Sequence, residues 1–153
     1  MGIQSGWYDA ERTIQLWQID GTWMWDEFNR HMLGSYRDAQ AVSHRYDAIT
    51  DLSRCHLLPP ETVARAHLAM KYAPANLGVM VVVGLRPIFE ASLRAIRRVH
   101  PRLAGDLYLA ATLEEALHIV EQQRGLPTRS GALAAVAPAQ RIKTITGLLK
   151  AVS

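Results

Sequence analysis

The stretch "NLGVMVVVG", Asn76–Gly84, limits the choice of fold more than any other part of the chain. In an extended strand Val79, Val81 and Val83 point one way, and Met80 and Val82 point the other. A strand that is apolar on both sides belongs inside a sheet covered on both faces, and such sheets are largely parallel. The flanking pattern agrees. "GWYDAERTIQLWQID" reads as two short strands around a turn at Asp9–Arg12, and "YDAITDL" and "DLYLAA" read as further strands.

Helical spacing fills the intervals. In "GTWMWDEFNRHMLGSYRDAQ", Trp25, Phe28, Met32 and Tyr36 share a face, Thr22 is the expected N-cap, and Asp26 and Glu27 suit the positive end of the helix dipole. "PPETVARAHLAMKY" is a second helix with Pro60 in its first turn and Val63, Ala66, His67 and Met70 on one face. "RPIFEASLRAIRRVHP" is a third, with Phe89, Leu93, Ile96 and Val99 inward, ending before Pro101. "TLEEALHIVEQQ" is a fourth, opened by a capping box of Thr112 and Glu115. This alternation predicts an α/β fold: an open, mostly parallel sheet of about five strands with helices, and an antiparallel edge from the first hairpin. Residues 1–123 form that domain. Residues 124–153 form a Gly-, Pro- and Ala-rich linker and a C-terminal amphipathic helix, Gln140–Val152, with Ile142, Ile145, Leu149 and Val152 on its apolar face.

The order of these elements, with "GTWMWDEF", "DAITDLS", "NLGVMVVVG" and "TLEEALHIV", resembles the SpoIIAA-like, or STAS-like, superfamily, and in particular its small bacterial members of unknown function. The resemblance spans roughly residues 6 to 123. It implies an open strand–helix sheet, and it implies roles in protein–protein switching or in binding nucleotide or lipid-related ligands. Anti-sigma-factor antagonists of that superfamily carry Asp-Ser-Ser-Gly at the helix after the third strand, the first serine accepting phosphate. The matching positions here are Pro59, Pro60, Glu61 and Thr62. Pro60 has no hydroxyl, and Glu61 adds a negative charge where a phosphate would otherwise gain from the dipole. The usual switch residue is therefore missing, while the surrounding surface of Ser53, Cys55, His56, Glu61 and Thr62 remains an expected interaction surface.

Chemistry beyond that surface is sparse. Ser53 and Thr62 are each explained by a local turn or backbone hydrogen bond. Cys55 and His56 are adjacent, but neighbouring side chains of an extended loop point apart, so His56 is a poor base for Cys55. The six histidines show no His-x-x-x-His pair, and the lone cysteine allows no Cys-x-x-Cys, so no metal is expected. Asp26–Glu27 and Glu114–Glu115 both open helices, where dipole and capping explain them. "GLRPIFEAS" lacks the glycines of a phosphate loop, and Pro87 removes a donor. Arg86, Arg94, Arg97, Arg98 and Arg102 read as a solvated face, with an anionic partner as the alternative, and a net charge of +3 favours a solvated surface over nucleic-acid binding.

Four tryptophans are the densest unusual feature. Core packing is their first reading, and Trp17, Trp23 and Trp25 are the alternative candidates for a ligand or partner site. The expected function is a non-enzymatic STAS-like interaction or regulatory module with a protein partner and a homo-oligomeric state. The alternative is a binder of a small apolar or lipid-like ligand between the Trp-rich helix and the sheet. No cofactor is expected. A single cysteine and the lack of a signal pattern or of an apolar run of about 18 residues point to a cytoplasmic protein without a membrane span. Right-handed crossovers laid down in order would place the helices on one face of the sheet. On that expectation the opposite apolar face needs a cover, and the tail helix Gln140–Val152 is expected to supply it, on its own domain or on a second subunit.

Overall fold

The structure, a computed structural model, describes residues 2–62, 64–65, 74–99 and 107–124. The second and third helices of the sequence reading fall partly outside these ranges: Val63, Ala66, His67 and Met70, and the side chains of Leu93, Ile96 and Val99, lie outside the described residues, as does the whole segment 125–153.

Five strands form one sheet: β1 (Gly2–Trp7), β2 (Ile14–Asp20), β3 (Tyr46–Asp51), β4 (Leu77–Val83) and β5 (Leu107–Ala110). Their spatial order equals their sequence order. β1 pairs antiparallel with β2, and β2 through β5 run parallel. The described helices are α1 (Trp25–Gln40), α2 (Pro87–Val99) and α3 (Leu113–Gln123). The α/β architecture expected from the alternation is the one observed. β1 starts earlier than the hairpin pattern suggested. Its turn is held by Asp9, whose carboxylate accepts from the Thr13 and Ile14 amides at 2.8 and 2.9 Å.

Two cores flank the sheet. On one face, Ile3, Trp17 and Ile19 meet Trp25, Phe28 and Met32 of α1 together with Trp23, Leu52, Cys55 and Phe89 of α2. On the other, Ile14, Ile49, Val79, Val81 and Val83 meet Ala116 and Val120 of α3. The alternate valines of β4 therefore serve different cores, as their spacing predicted: Val81 is in the second, and Val82 packs against the first.

This arrangement corrects the premise that the body of the domain has no helix for the second face, while the segment Gln140–Val152 itself lies outside the described residues. Crossover helices between successive parallel strands of an ordered sheet share a face. α3 follows the last strand, so no crossover constrains it, and it turns back under the opposite side. α3 covers this face over β3, β4 and β5, with Ala116 and Val120 fully buried. The capping box of α3 is present in modified form. Thr112 accepts from the Glu115 amide at 3.2 Å, while the Glu115 carboxylate takes the Ala111 N–H at 2.7 Å rather than that of Thr112.

Two terminus expectations are also corrected. Thr22 is not the N-cap of α1. Met24 occupies that position in extended geometry, with no side-chain cap bond. Gly21 explains the offset. At φ +70 it turns the chain out of β2, its N–H donates to the Arg54 carbonyl, and its carbonyl accepts from His56 N–H. These bonds carry Thr22 and Trp23 past the loop before a helix can begin. Pro60 likewise precedes its helical turn rather than opening it. Glu61 intervenes at φ +62, and the first helical bond runs from Arg65 N–H to the Glu61 carbonyl.

Candidate functional site

The C-terminal ends of the parallel strands converge where α/β sheets usually bind ligands. β3 ends in Asp51, whose carboxylate accepts from the Ser53 amide at 2.9 Å and turns the chain. Gly84, at φ +70 after β4, lies so close to Ser53 that a Cβ there would sit 2.6 Å from the Ser53 Cα. The Gly84 N–H donates to the Ala110 carbonyl and the Leu52 N–H to the Val83 carbonyl, so this edge is closed by backbone bonds. Ser53 is exposed beside that seam, with its amide already engaged.

From Ser53 the chain divides the expected interaction surface in two. Cys55 is fully buried, and its thiol donates to the Leu57 carbonyl at 3.4 Å. Burial pushes the Cys55 pKa up, against the lowering influence of the Trp23 indole, the Leu57 backbone and the Arg86 charge. A thiol kept protonated inside the core is not a nucleophile. His56 is exposed and contributes its amide to Gly21. Thr62 donates its hydroxyl to the Pro59 carbonyl at 2.5 Å, the local bond expected of it.

Beyond Cys55, the loop meets the start of α1. Trp25 Nε1 donates to the Pro60 carbonyl at 2.9 Å. The Arg65 guanidinium lies 5.7 Å from the centre of a Trp25 ring, and its Nε donates to Glu61 at 3.1 Å. Arg65 Nη1 is buried without an acceptor among the described residues. Met24, Trp25, Asp26, Pro60, Glu61 and Arg65 line an open cleft of about 240 Å3. Its apolar component includes Met24, 61% exposed, and the same loop displays Leu57, 60% exposed.

The three candidate tryptophans are packed together rather than arrayed around a space. Trp23 and Trp25 meet edge to face at 4.9 Å between centroids, and Phe28 touches Trp17, Trp23 and Trp25 at 5.3 to 5.4 Å. All three indoles are buried. Among the described residues, Trp23 Nε1 finds no acceptor oxygen. The cavity between α1 and the sheet, bordered by Gln15, Trp17, Met32, Ser35, Tyr36, Tyr46 and Ala48, measures about 20 Å3. That is room for one water and not for a lipid-like ligand. Burial raises the pKa of both Tyr36 and Tyr46, so both phenols stay neutral.

At the opposite end of the strands lies a polar cluster that the motif reading did not single out. Asp47 has no exposed surface. One carboxylate oxygen accepts from the Val79 amide at 2.7 Å and from Arg45 Nη2 at 2.9 Å, and the other accepts from Arg124 Nε at 2.5 Å. Arg124 also donates to the Thr13 carbonyl at 2.6 Å and hydroxyl at 3.1 Å, and that hydroxyl donates to Asp9. A Cβ on Gly78 would fall 2.1 Å from Asp47 Oδ1, so this glycine makes room for the cluster. One signal was available in sequence: a charged residue inside the apolar strand "YDAIT". Arg45 is two positions away, but Val79 and Arg124 are 32 and 77 positions away, and those partners were not legible.

Among the described residues, no group of three or more His, Cys, Asp or Glu side chains is placed to hold a metal ion, and no helix is long and apolar enough to cross a membrane. No family model, no curated protein and no solved structure matches the chain.

Proposed function

We propose that this chain is a non-enzymatic interaction or regulatory module of the STAS-like kind, which recognises a protein partner through the cleft at the start of α1 and the adjoining loop 55–62. The observation that carries this reading is the exposure of Met24 and Leu57 beside charged Asp26, Glu61 and Arg65. Exposed apolar side chains mixed with an arginine and a polar rim are the composition of a partner surface. Two features support it. Met24 occupies a helix cap where Ser, Thr, Asp or Asn would be more stabilising. Glu61 holds a left-handed backbone conformation that is costly for a non-glycine residue, and such strain concentrates at functional positions. The likeness of element order and motifs to the STAS-like superfamily is in keeping with this role. No phosphate is expected at this helix start, because Pro60 stands at the acceptor position and the Thr62 hydroxyl is engaged with Pro59. Phosphopeptide mapping from the native host should find Ser53 and Thr62 essentially unmodified.

The test is cross-linking of the full chain in its own host, comparing wild type with the Met24→Ser, Leu57→Asp double variant. A defined protein recovered in stoichiometric amount with wild type and lost with the variant supports the reading. Equal recovery with both, or native mass spectra that retain a small molecule and no protein, overturns it.

A further inference from the structure

α3 leaves part of its own face of the sheet uncovered. Its packing is centred on β4, extends over β5 and falls off toward β3. The even-numbered residues of β1 and β2 lie on this same face, because Ile3, Trp17 and Ile19 turn to the α1 core and Ile14 to the other. Gln4 and Gly6 of β1 are exposed there, and their partners Gln18 and Leu16 of β2 are half-buried. A Cβ built on Gly6 would meet nothing within 4 Å, so the floor beside Leu16 is open. Leu117 of α3 forms a wall. It lies two helical turns before Arg124 and therefore on the same flank. Arg124 donates to the Thr13 carbonyl at 2.6 Å, at the start of β2, so that flank faces the open strands. Leu16 and Leu117 both pack on the second core and both stay half-buried. Together they give a shallow trough with an apolar side, and among the described residues no helix is centred over it.

We infer that the occupant of this trough is the C-terminal segment Gln140–Val152 of the same copy of the chain, which extends the second core over β1 and β2. The described chain stops beside it, with Arg124 fastened at the start of β2. Residues 125–139 join Arg124 to Gln140. Fully extended they would reach roughly 50 Å, against roughly 23 Å for the length of β2. A helix over Gln140–Val152 would measure about 20 Å, the length of the trough. Its apolar stripe of Ile142, Ile145, Leu149 and Val152 matches Leu16 and Leu117, and the bare backbone at Gly6 allows a close approach. Charge points the same way. Residues 125–153 hold the basic side chains Arg129, Arg141, Lys143 and Lys150 and no acidic one, so the rest of the chain carries one more acidic than basic residue. Glu121, beside Leu117 on the flank of α3 that faces the trough, offers a carboxylate to Lys143 or Lys150, which share one flank of the tail helix. Burial of the stripe contributes most of the contact, since an ion pair at the rim adds little. The trough lies on the opposite face of the sheet from α1, and so it is independent of the cleft proposed for the partner.

A nitroxide attached to Gln4→Cys in the isotope-labelled full chain reads this placement by nuclear magnetic resonance. Cys55 is buried, so the label goes to the new thiol. Amides of residues 140–152 should lose most of their peak intensity. The same label on Arg30→Cys, exposed on α1, should leave them sharp. Adding Ile145→Asp and Leu149→Asp to the Gln4→Cys chain should restore the lost intensity. Sharp tail signals with the Gln4→Cys label, equal broadening from both labels, or broadening that survives the aspartates overturns the inference. So does broadening of nitroxide-free chains by nitroxide-labelled copies mixed with them, which would put the tail on a second copy. If Gln4→Cys does not fold, Gln18→Cys on the same floor carries the same test.

Discussion

Asp47 shows how a single buried charge ties distant segments of this chain together. Its carboxylate receives an amide of β4, the guanidinium of Arg45 and that of Arg124, so its charge is fully paired where it is buried. A buried ion pair adds little over an apolar replacement of the same shape, but removing one partner strands the others. Asp47→Ala should therefore cost about 3–5 kcal/mol in urea unfolding. Arg124→Ala should cost less, because Arg45 and the Val79 amide still serve the carboxylate. Asp9 gives the cluster a pH dependence. Burial raises its pKa, but bonds from the Thr13 hydroxyl and from the Ile14 and Thr13 amides together outweigh this and lower it. The charged form is thus favoured by folding. Its stabilisation is complete above the unfolded value of 3.8 and is lost as pH falls through the lower folded value. Unfolding measured from pH 6 downward should show this loss in wild type and a shallower one in Asp9→Asn.

At the scale of elements, α1 and α3 open in contrasting ways. α3 begins with Thr112 and Glu115 satisfying amides at its first turn. α1 begins with Met24, whose side chain satisfies none, although Asp26 and Glu27 sit favourably in the first turn. Met24→Ser supplies the missing acceptor and should stabilise the protein by about 1 kcal/mol. Thermal or urea denaturation checks the sign. A gain in stability combined with loss of the partner would mark Met24 as a residue kept for its surface. The helical period itself was legible in sequence: Trp25, Phe28 and Met32 are buried at the predicted spacing. The cap was not, because Gly21 and the loop carrying Arg54 and His56 decide where the helix begins, and that loop arrives from more than thirty residues later.

For the whole molecule, the sequential order of the strands decides which face each helix takes. α1 and Phe89 of α2 share one core, and α3, free of any crossover, closes the other. A chain ending at Arg124 should therefore remain folded, with a melting temperature within about 5 °C of the full chain. A chain ending at Gln123 loses the Arg124 bonds to Asp47 and Thr13 and should melt lower. If the chain ending at Arg124 is unfolded while the full chain is stable, the segment after Arg124 contributes a core contact and the covering role of α3 is incomplete.

Periodicity is a property of neighbouring residues, and so, for the described segments, the sequence alone determined the element types, their order, the antiparallel first hairpin and the two-sided burial of β4. It also carried the local bond of the Thr62 hydroxyl, which depends on an atom three residues away. What joins the elements was decided only in the tertiary structure. The side on which α3 packs, the burial of Trp17, Trp23 and Trp25 around Phe28, the enclosure of Cys55, and the grouping of Asp9, Thr13, Arg45, Asp47 and Arg124 all depend on contacts between segments remote in the chain. A side chain's chemistry names the partners it could accept, but only the packed sheet brings one of them within reach.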